Sequence, residues 1–261
     1  MNHSHSHLSH GKGVQRREEV VVRPAAPWTP AVHALLRHLE THDFTGAPRL
    51  VGTGRDAEGR ETIAYVPGEV APLRTWSDEA MHELGRLMRR LHDATASFQP
   101  PPDVVWQDSF LRASPTDPDA VYSHGDAARW NVVARNNLPA TLIDWELAGP
   151  VDRLDELAHT AWLNAQLYDD AVCAQQGQSP PTQRIPQLRH FADGYGLAAD
   201  DRQELVTRFI DVSILSSAQD AIDAGIAPGS TDHPLVWGVV WRTRSAAWLV
   251  RNRALIERAL R

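Results

Sequence analysis

Ser123-His124-Gly125-Asp126-Ala127-Ala128-Arg129-Trp130-Asn131, followed by Leu142-Ile143-Asp144-Trp145-Glu146, decides how this chain is read. An Asp is followed five residues later by an Asn and thirteen after that by a second Asp. Phosphoryl transfer asks a protein for an oriented acceptor hydroxyl, in-line geometry and cations on the developing charge. Asp126 suits the first task, because a carboxylate can accept or orient a hydroxyl proton. Asn131 and Asp144 suit the last, because Mg²⁺ takes hard oxygen ligands from one or two side chains plus phosphate and water. The apolar runs Val132-Val133 and Thr141-Leu142-Ile143 flank Asn136-Asn137, which reads as a hairpin. Residues thirteen apart can return to the same end of such a ladder.

Outward from this motif the chain divides in composition. Val20-Val21-Val22, ending at Arg23-Pro24, reads as a strand. Thr29-Pro30 starts a helix with Thr as N-cap, and Val32, Leu35, Leu36 and Leu39 form its apolar stripe. Residues 48–53 and 61–66 read as strands around Asp56-Ala57-Glu58-Gly59, and Pro67-Gly68 punctuates their end. Ser77 caps a helix whose Ala80, Met81, Leu84, Leu87, Met88 and Leu91 mark a core face. Residues 97–120, rich in Pro and Asp, read as a surface loop. Helices are predicted over 155–175, 183–195, 200–224 and 234–260. Trp145 and Trp162 read as core, and Glu156 and His159 as supports of the motif loop.

Bulk properties narrow the function classes. The chain has 261 residues and a net charge of -7, which argues against nucleic acid as a partner. It shows no apolar run long enough to span a bilayer and no signal-peptide core. The single Cys173 fits a reducing cytoplasm. Residues 150–232 carry 13 acidic residues against 5 Arg, while the segment from 233 carries 6 Arg against Glu257. An acidic block behind a catalytic motif predicts attraction of a cationic acceptor. Of 26 basic residues only Lys12 is lysine. His3, His5, His7 and His10 mark a tail that takes no part in the fold.

His124-Gly125-Asp126, Asn131 and Ile143-Asp144-Trp145-Glu146 together resemble the catalytic core of the aminoglycoside phosphotransferase and choline kinase-like family, small-molecule relatives of the protein kinases. Val66-Pro67-Gly68-Glu69, Leu91-His92 and Asp155-Glu156-Leu157-Ala158 extend the resemblance to about residues 18–255. It implies an α+β, two-lobed protein-kinase-like fold. A tail over 1–13, a small β-rich nucleotide lobe over 14–68 and a larger, mainly helical lobe over 69–261 are expected. It also implies Asp126 as catalytic base, Asn131 and Asp144 as Mg²⁺ ligands, and ATP or GTP in the cleft. Arg23 would face the phosphates, and Ala64 and Val66 would meet the base at the hinge. His124, Arg129 and Glu146 would support the loop, with Glu146 near the metal.

The chain departs from the family in the small lobe. Family members carry a glycine-rich loop, a strand lysine and a helix glutamate. Here the only glycine-rich candidate is Gly11-Lys12-Gly13, the strand position is Arg23, and the helix position matches His33, with Glu40 two turns on. Arg can hold phosphate oxygens bidentately. Three readings stay open. The first is a phosphotransferase acting on a hydroxyl of a small, cationic metabolite or aminoglycoside-like antibiotic. The second is a kinase-like binding protein with a weakened nucleotide site. The third is a metal-dependent hydrolase built on His124, Asp126, Asp144 and His159.

Overall fold

The computed structural model describes residues 13–70, 75–114 and 116–261. The expectations for Gly11, Lys12 and the histidine tail fall on residues outside those described.

The first lobe is an antiparallel sheet with one helix. Strands β1 (Gln15–Arg17), β2 (Val20–Arg23), β3 (Leu50–Arg55) and β4 (Glu61–Ala64) lie in the order β1-β2-β4-β3. Helix α1 (Thr29–Thr41) buries Val32, Leu35, Leu36 and Leu39, the stripe seen in the sequence. Thr29 is not its cap. It sits in the first turn, where its hydroxyl accepts the Ala26 N–H at 2.8 Å. Asp56 shapes the β3–β4 turn by accepting the N–H groups of Glu58 and Arg60 at 3.0 and 2.9 Å.

The second lobe is mainly helical. After strand β5 (Glu69–Val70) comes α2 (Asp78–Thr95), capped by Ser77, whose hydroxyl accepts the Ala80 N–H at 3.1 Å. Met81, Leu84, Leu87, Met88 and Leu91 on α2 are fully buried. Each such side chain contributes about 1.5–3 kcal/mol on leaving water. Strands β6 (Ala120–Ser123) and β9 (Gly149–Asp152) pair with each other, and β7 (Val132–Arg135) and β8 (Leu138–Leu142) form the hairpin. Strand β5 joins β7 through Glu69–Ala134 and Val70–Val133, which ties the hinge to the catalytic hairpin.

Helices α3 (Arg153–Ala165), α4 (Asp170–Gln175), α5 (Gln187–Tyr195), α6 (Ala199–Asp223), α7 (His233–Arg251) and α8 (Arg253–Leu260) complete the lobe. Two expected long helices are each split. Gln166 turns left-handed (φ 53°) and ends α3, and Asp169 starts α4 by accepting the Ala171 N–H. At the other break Asn252 separates α7 from α8 and returns its side-chain amide to the Trp248 carbonyl at 2.9 Å. Helices α2 and α5 cross in close contact. A Cβ on Gly85 would lie 2.1 Å from the Phe191 carbonyl oxygen, and one on Gly194 would lie 2.0 Å from that of His82. Among the described residues no helix is long and apolar enough to cross a membrane.

Candidate active site

The motif loop runs from the end of β6 to the start of β7, and its backbone is held from three sides. His124 uses both ring nitrogens. Nε2 meets the Ile143 carbonyl at 2.9 Å and Nδ1 accepts the Asp126 N–H at 3.2 Å. With both nitrogens spent inside the loop, His124 has none for a metal. Gly125 has φ 74°, and a Cβ there would lie 2.1 Å from the Leu147 carbonyl oxygen. Only glycine fits. The Gly125 N–H donates to Glu156 Oε1 at 2.8 Å, and Asn164 on α3 donates to the Ala127 carbonyl at 2.9 Å.

Behind the loop lies a buried ion pair. His92 from α2 meets Glu156 Oε2 at 3.0 Å, Ser123 Oγ at 3.1 Å and Tyr195 Oη at 2.9 Å. Burial alone would raise the Glu156 pKa, but the hydrogen bond and charge of His92, with Ser123 and the Gly125 N–H, hold it below the ordinary value. The two short sequence signatures around His92 and Glu156 thus meet across 64 residues of chain.

The hairpin register brings the chemistry together. Val132 pairs with Leu142, and the Ile143 N–H donates to the Asn131 carbonyl at 2.8 Å, so Asn131 and Asp144 lie at one end of the ladder. Asn136 and Asn137 make the turn at the other end, both with positive φ. The Asn131 amide nitrogen donates to Asp126 Oδ2 at 2.8 Å and to the Asp126 carbonyl at 2.9 Å. Asp144 is left-handed (φ 62°, ψ 64°) at the start of a short 3-10 turn, a conformation Asp tolerates better than most residues. Burial, then the nearby Asp144 charge, push the Asp126 carboxyl up to about 7, against hydrogen bonds from Trp130 and Asn131 and the charge of Arg242. A carboxylate titrating there is matched to proton transfer at neutral pH.

Arg23 sits across from this group at the end of β2. Its Nη1 donates to Asp144 Oδ1 at 2.8 Å and its Nε pairs with Glu61 Oε2. The other Glu61 oxygen meets His33 Nε2 of α1 at 2.9 Å. Glu61 lies directly opposite Arg23 in the β2–β4 register. The basic strand residue therefore keeps a carboxylate partner, but the carboxylate comes from the neighbouring strand and the helix supplies a histidine. Burial would raise Glu61; the hydrogen bond from His33 and the charge of Arg23 outweigh it and hold its pKa low. Glu61 escaped the sequence reading, which sought the partner on the helix. The alternation of the β4 strand carried no sign of this pairing.

A pocket between the lobes is lined by Arg23, Pro24, Trp28, Glu61, Asp144 and Glu146. Its oxygen donors fit a hard divalent cation. Since the Asn131 amide nitrogen is committed to Asp126, its carbonyl oxygen is the ligand-type atom, and Asp144 and Glu146 add carboxylates. Among the described residues no three His, Cys, Asp or Glu side chains cluster to hold a metal by themselves. A cation here would complete its shell with phosphate oxygens and water. That absence, the two engaged His124 nitrogens, and the burial of His159 beside Phe110 and Trp162 count against the hydrolase reading.

Ala64 and Val66 do not line the Arg23 pocket. They border a second one with Thr45, Pro48, Arg135 and Thr141. Ala64 is three residues beyond Glu61 on the same strand, about 10 Å along it. Strands β1 and β2 join through Glu18 and Glu19, with Glu18 left-handed (φ 53°). Arg129 faces another way. Burial lowers its pKa, and the charged-group neighbours acting on it are Tyr168 and Arg184.

Residues 103–191 match the phosphotransferase enzyme family. Over 247 residues the chain is 45% identical to a trifolitoxin immunity protein of Rhizobium leguminosarum bv. trifolii, covering 95% of this chain and 94% of that one. The chain belongs to the phosphotransferase enzyme family. Solved structures share the fold of this phosphotransferase at low identity. An amicoumacin kinase in complex with AMP-PNP, Ca²⁺ and its antibiotic superposes with a TM-score of 0.60 at 13% identity, over 94% of this chain and 88% of that one. An aminoglycoside phosphotransferase from Alicyclobacillus acidocaldarius gives 0.55 at 14% identity, over 95% and 90%.

The acidic excess of residues 150–232, from which a cationic acceptor is expected, is partly met by arginines in this family member. Its carboxylates are paired with arginines, several from the basic final segment. Arg242 meets Asp220 at 2.5 Å, Arg244 meets Asp169 at 2.6 Å, and Arg251 meets Asp169 at 3.5 Å. Within the block, Arg208 binds Asp155 and Glu204, Arg153 binds Asp201, and Arg202 binds Asp193. Three arginines of the final segment thus meet two carboxylates of the block, Asp169 and Asp220.

Proposed function

We propose that this protein transfers the γ-phosphoryl group of ATP or GTP to a hydroxyl of a small antimicrobial compound. The observation that carries the proposal is the meeting of Asp126, Asn131 and Asp144 at one end of the β7–β8 hairpin, with Arg23 reaching Asp144 from the other lobe. Asp126 takes the acceptor proton as the acceptor oxygen bonds to the γ-phosphorus. The bond from that phosphorus to the β–γ bridging oxygen breaks, and the nucleoside diphosphate leaves. Asn131 orients Asp126 through its amide nitrogen. Arg23, fixed by Glu61, offers its guanidinium to the phosphates as a planar, permanently charged fork. A divalent cation, held by the Asn131 carbonyl oxygen, Asp144 and Glu146, would neutralise charge on the phosphate oxygens.

The complex of the amicoumacin kinase with AMP-PNP and Ca²⁺ supports nucleotide and divalent-metal use. The name of the trifolitoxin immunity protein supports a toxin as acceptor. The test is ADP release by the purified protein with Mg-ATP, with and without toxin candidates, alongside Asp126→Asn. Turnover that survives the substitution would refute Asp126 as base.

A second reading, nucleotide binding without transfer, is favoured by one observation. The family's strand lysine and helix glutamate are replaced here by Arg23 and His33. Under that reading Mg-ATP raises the melting temperature while no ADP appears.

A further inference from the structure

The second cavity lies behind the hinge, on the far side of the sheet from Arg23. Glu61 faces Arg23 across the β2–β4 register, and side chains alternate along a strand, so Ala64 turns to the opposite face of β4. On that face a cavity of about 220 Å³ is lined by Thr45 and Arg49 ahead of β3, by hinge residues 64–67, and by Arg135 and Thr141 of the hairpin. Two backbone bonds fix its walls. The Ala64 N–H donates to the Arg49 carbonyl at 2.7 Å, and the Leu142 N–H donates to the Gly46 carbonyl at 2.9 Å.

The polar side chains on this cavity are donors with capacity to spare. Arg135 spends its Nε–H on the Pro67 carbonyl at 3.4 Å, and its guanidinium meets no carboxylate among the described residues. Arg49 has Glu40 as its ion-pair partner, 3.8 Å from Nε, which is beyond hydrogen-bond distance. Thr141 is 3% exposed, yet its hydroxyl makes no hydrogen bond among the described residues. A polar group buried to that extent is ordinarily satisfied. No Asp or Glu lines the cavity. Guanidinium forks match the oxygens of a phosphate group, and a hydroxyl beside them supplies a further donor. We propose that Arg49, Arg135 and Thr141 form an anion site behind the hinge for a phosphate-type oxyanion, either inorganic phosphate or a phosphate monoester. The site is separate from the catalytic cleft and does not depend on the phosphotransferase reading. An oxyanion held by both arginines bridges the small lobe, through Arg49, to the catalytic hairpin, through Arg135 and Thr141, and restrains the hinge between them.

The experiment is equilibrium dialysis of radiolabelled inorganic phosphate at constant ionic strength. It uses the full chain carrying Arg23→Ala, so that the arginine of the cleft takes no share. This protein should still bind one phosphate per chain. Adding Arg49→Gln or Arg135→Gln should raise Kd roughly tenfold or more, the scale of a hydrogen bond to a charged group. Adding Thr141→Val, which keeps the side-chain shape, should raise it about threefold. Arg135 is exposed, so its replacement leaves the fold in place, which a melting curve without phosphate checks. Absence of phosphate binding in the Arg23→Ala protein overturns the proposal, and so does a Kd that Arg135→Gln leaves unchanged. Unlabelled glycerol 3-phosphate separates the two sources. Displacement of the labelled phosphate assigns the site to monoesters, and retention of the label assigns it to free phosphate.

Discussion

The two halves of the candidate site are built on opposite plans. The motif loop in the helical lobe is anchored through backbone atoms, with His124, Glu156 and Asn164 each binding a main-chain group. The phosphate side in the sheet lobe is anchored through side chains alone, by the chain His33–Glu61–Arg23–Asp144. Backbone anchoring fixes identity at the glycine and leaves little room for substitution. Side-chain anchoring allows exchange of partners, and here lysine has become arginine and the carboxylate has moved from helix to strand. Under the proposed function, the first half would hold the geometry of the transfer step and the second the grip on nucleotide.

The largest expected effect breaks the first half at its functional atom. Asp126→Asn should lower ADP release by about 10²–10⁴-fold, the usual contribution of a positioned acid–base group. The same variant should be more stable at high pH. The folded-state pKa of Asp126 is raised to about 7 from 3.8, so the unfolded chain gives up the proton first. Stability is then lost as pH rises from about 4 through 7. Removing the charge should restore on the order of 4 kcal/mol at pH 8, read as a higher melting temperature, and nothing at pH 4.

Breaking the anchor behind the loop comes next. Glu156→Ala leaves His92 and the Gly125 N–H without their buried partner, and about 3–5 kcal/mol of stability should be lost in denaturant unfolding. A smaller loss is expected in the other half, where Glu61 stripped of Arg23 keeps His33 as a partner. Arg23→Ala should instead raise the KM for nucleotide about tenfold or more with the fold retained. Arg23→Lys should recover only part of that, since one ammonium cannot offer the fork that reaches both Glu61 and Asp144. An unchanged KM in both would end the assignment of Arg23 to the phosphates.

How much of this could be read beforehand follows the same division. Asp126, Asn131 and Asp144 were legible because a hairpin with a two-residue Asn-Asn turn converts sequence spacing into spatial neighbourhood. The core face of α2 was legible because its apolar spacing is helical and Ser77 caps it. Glu61 was not legible, since its partners lie 28 and 38 residues away and pair across a strand register. Strands β6 and β9 were missed because each has four residues and β9 contains Pro150. Counting Asp and Glu over 150–232 likewise cannot show that Arg242, Arg244 and Arg251 fold back onto Asp220 and Asp169. The Arg23–Asp144 bond, which pairs residues 121 positions apart, shows one place where the two lobes meet.

The pairing of Arg244 with Asp169 has a consequence for synthesis. The two residues are 75 positions apart. At a translation rate of roughly 5–20 residues per second, Asp169 waits about 4–15 s on the ribosome before its partner is made. During that interval the motif loop and its hairpin already exist, while α7 does not. The nascent protein thus makes its motif loop and hairpin before the helix whose arginine completes the pair with Asp169.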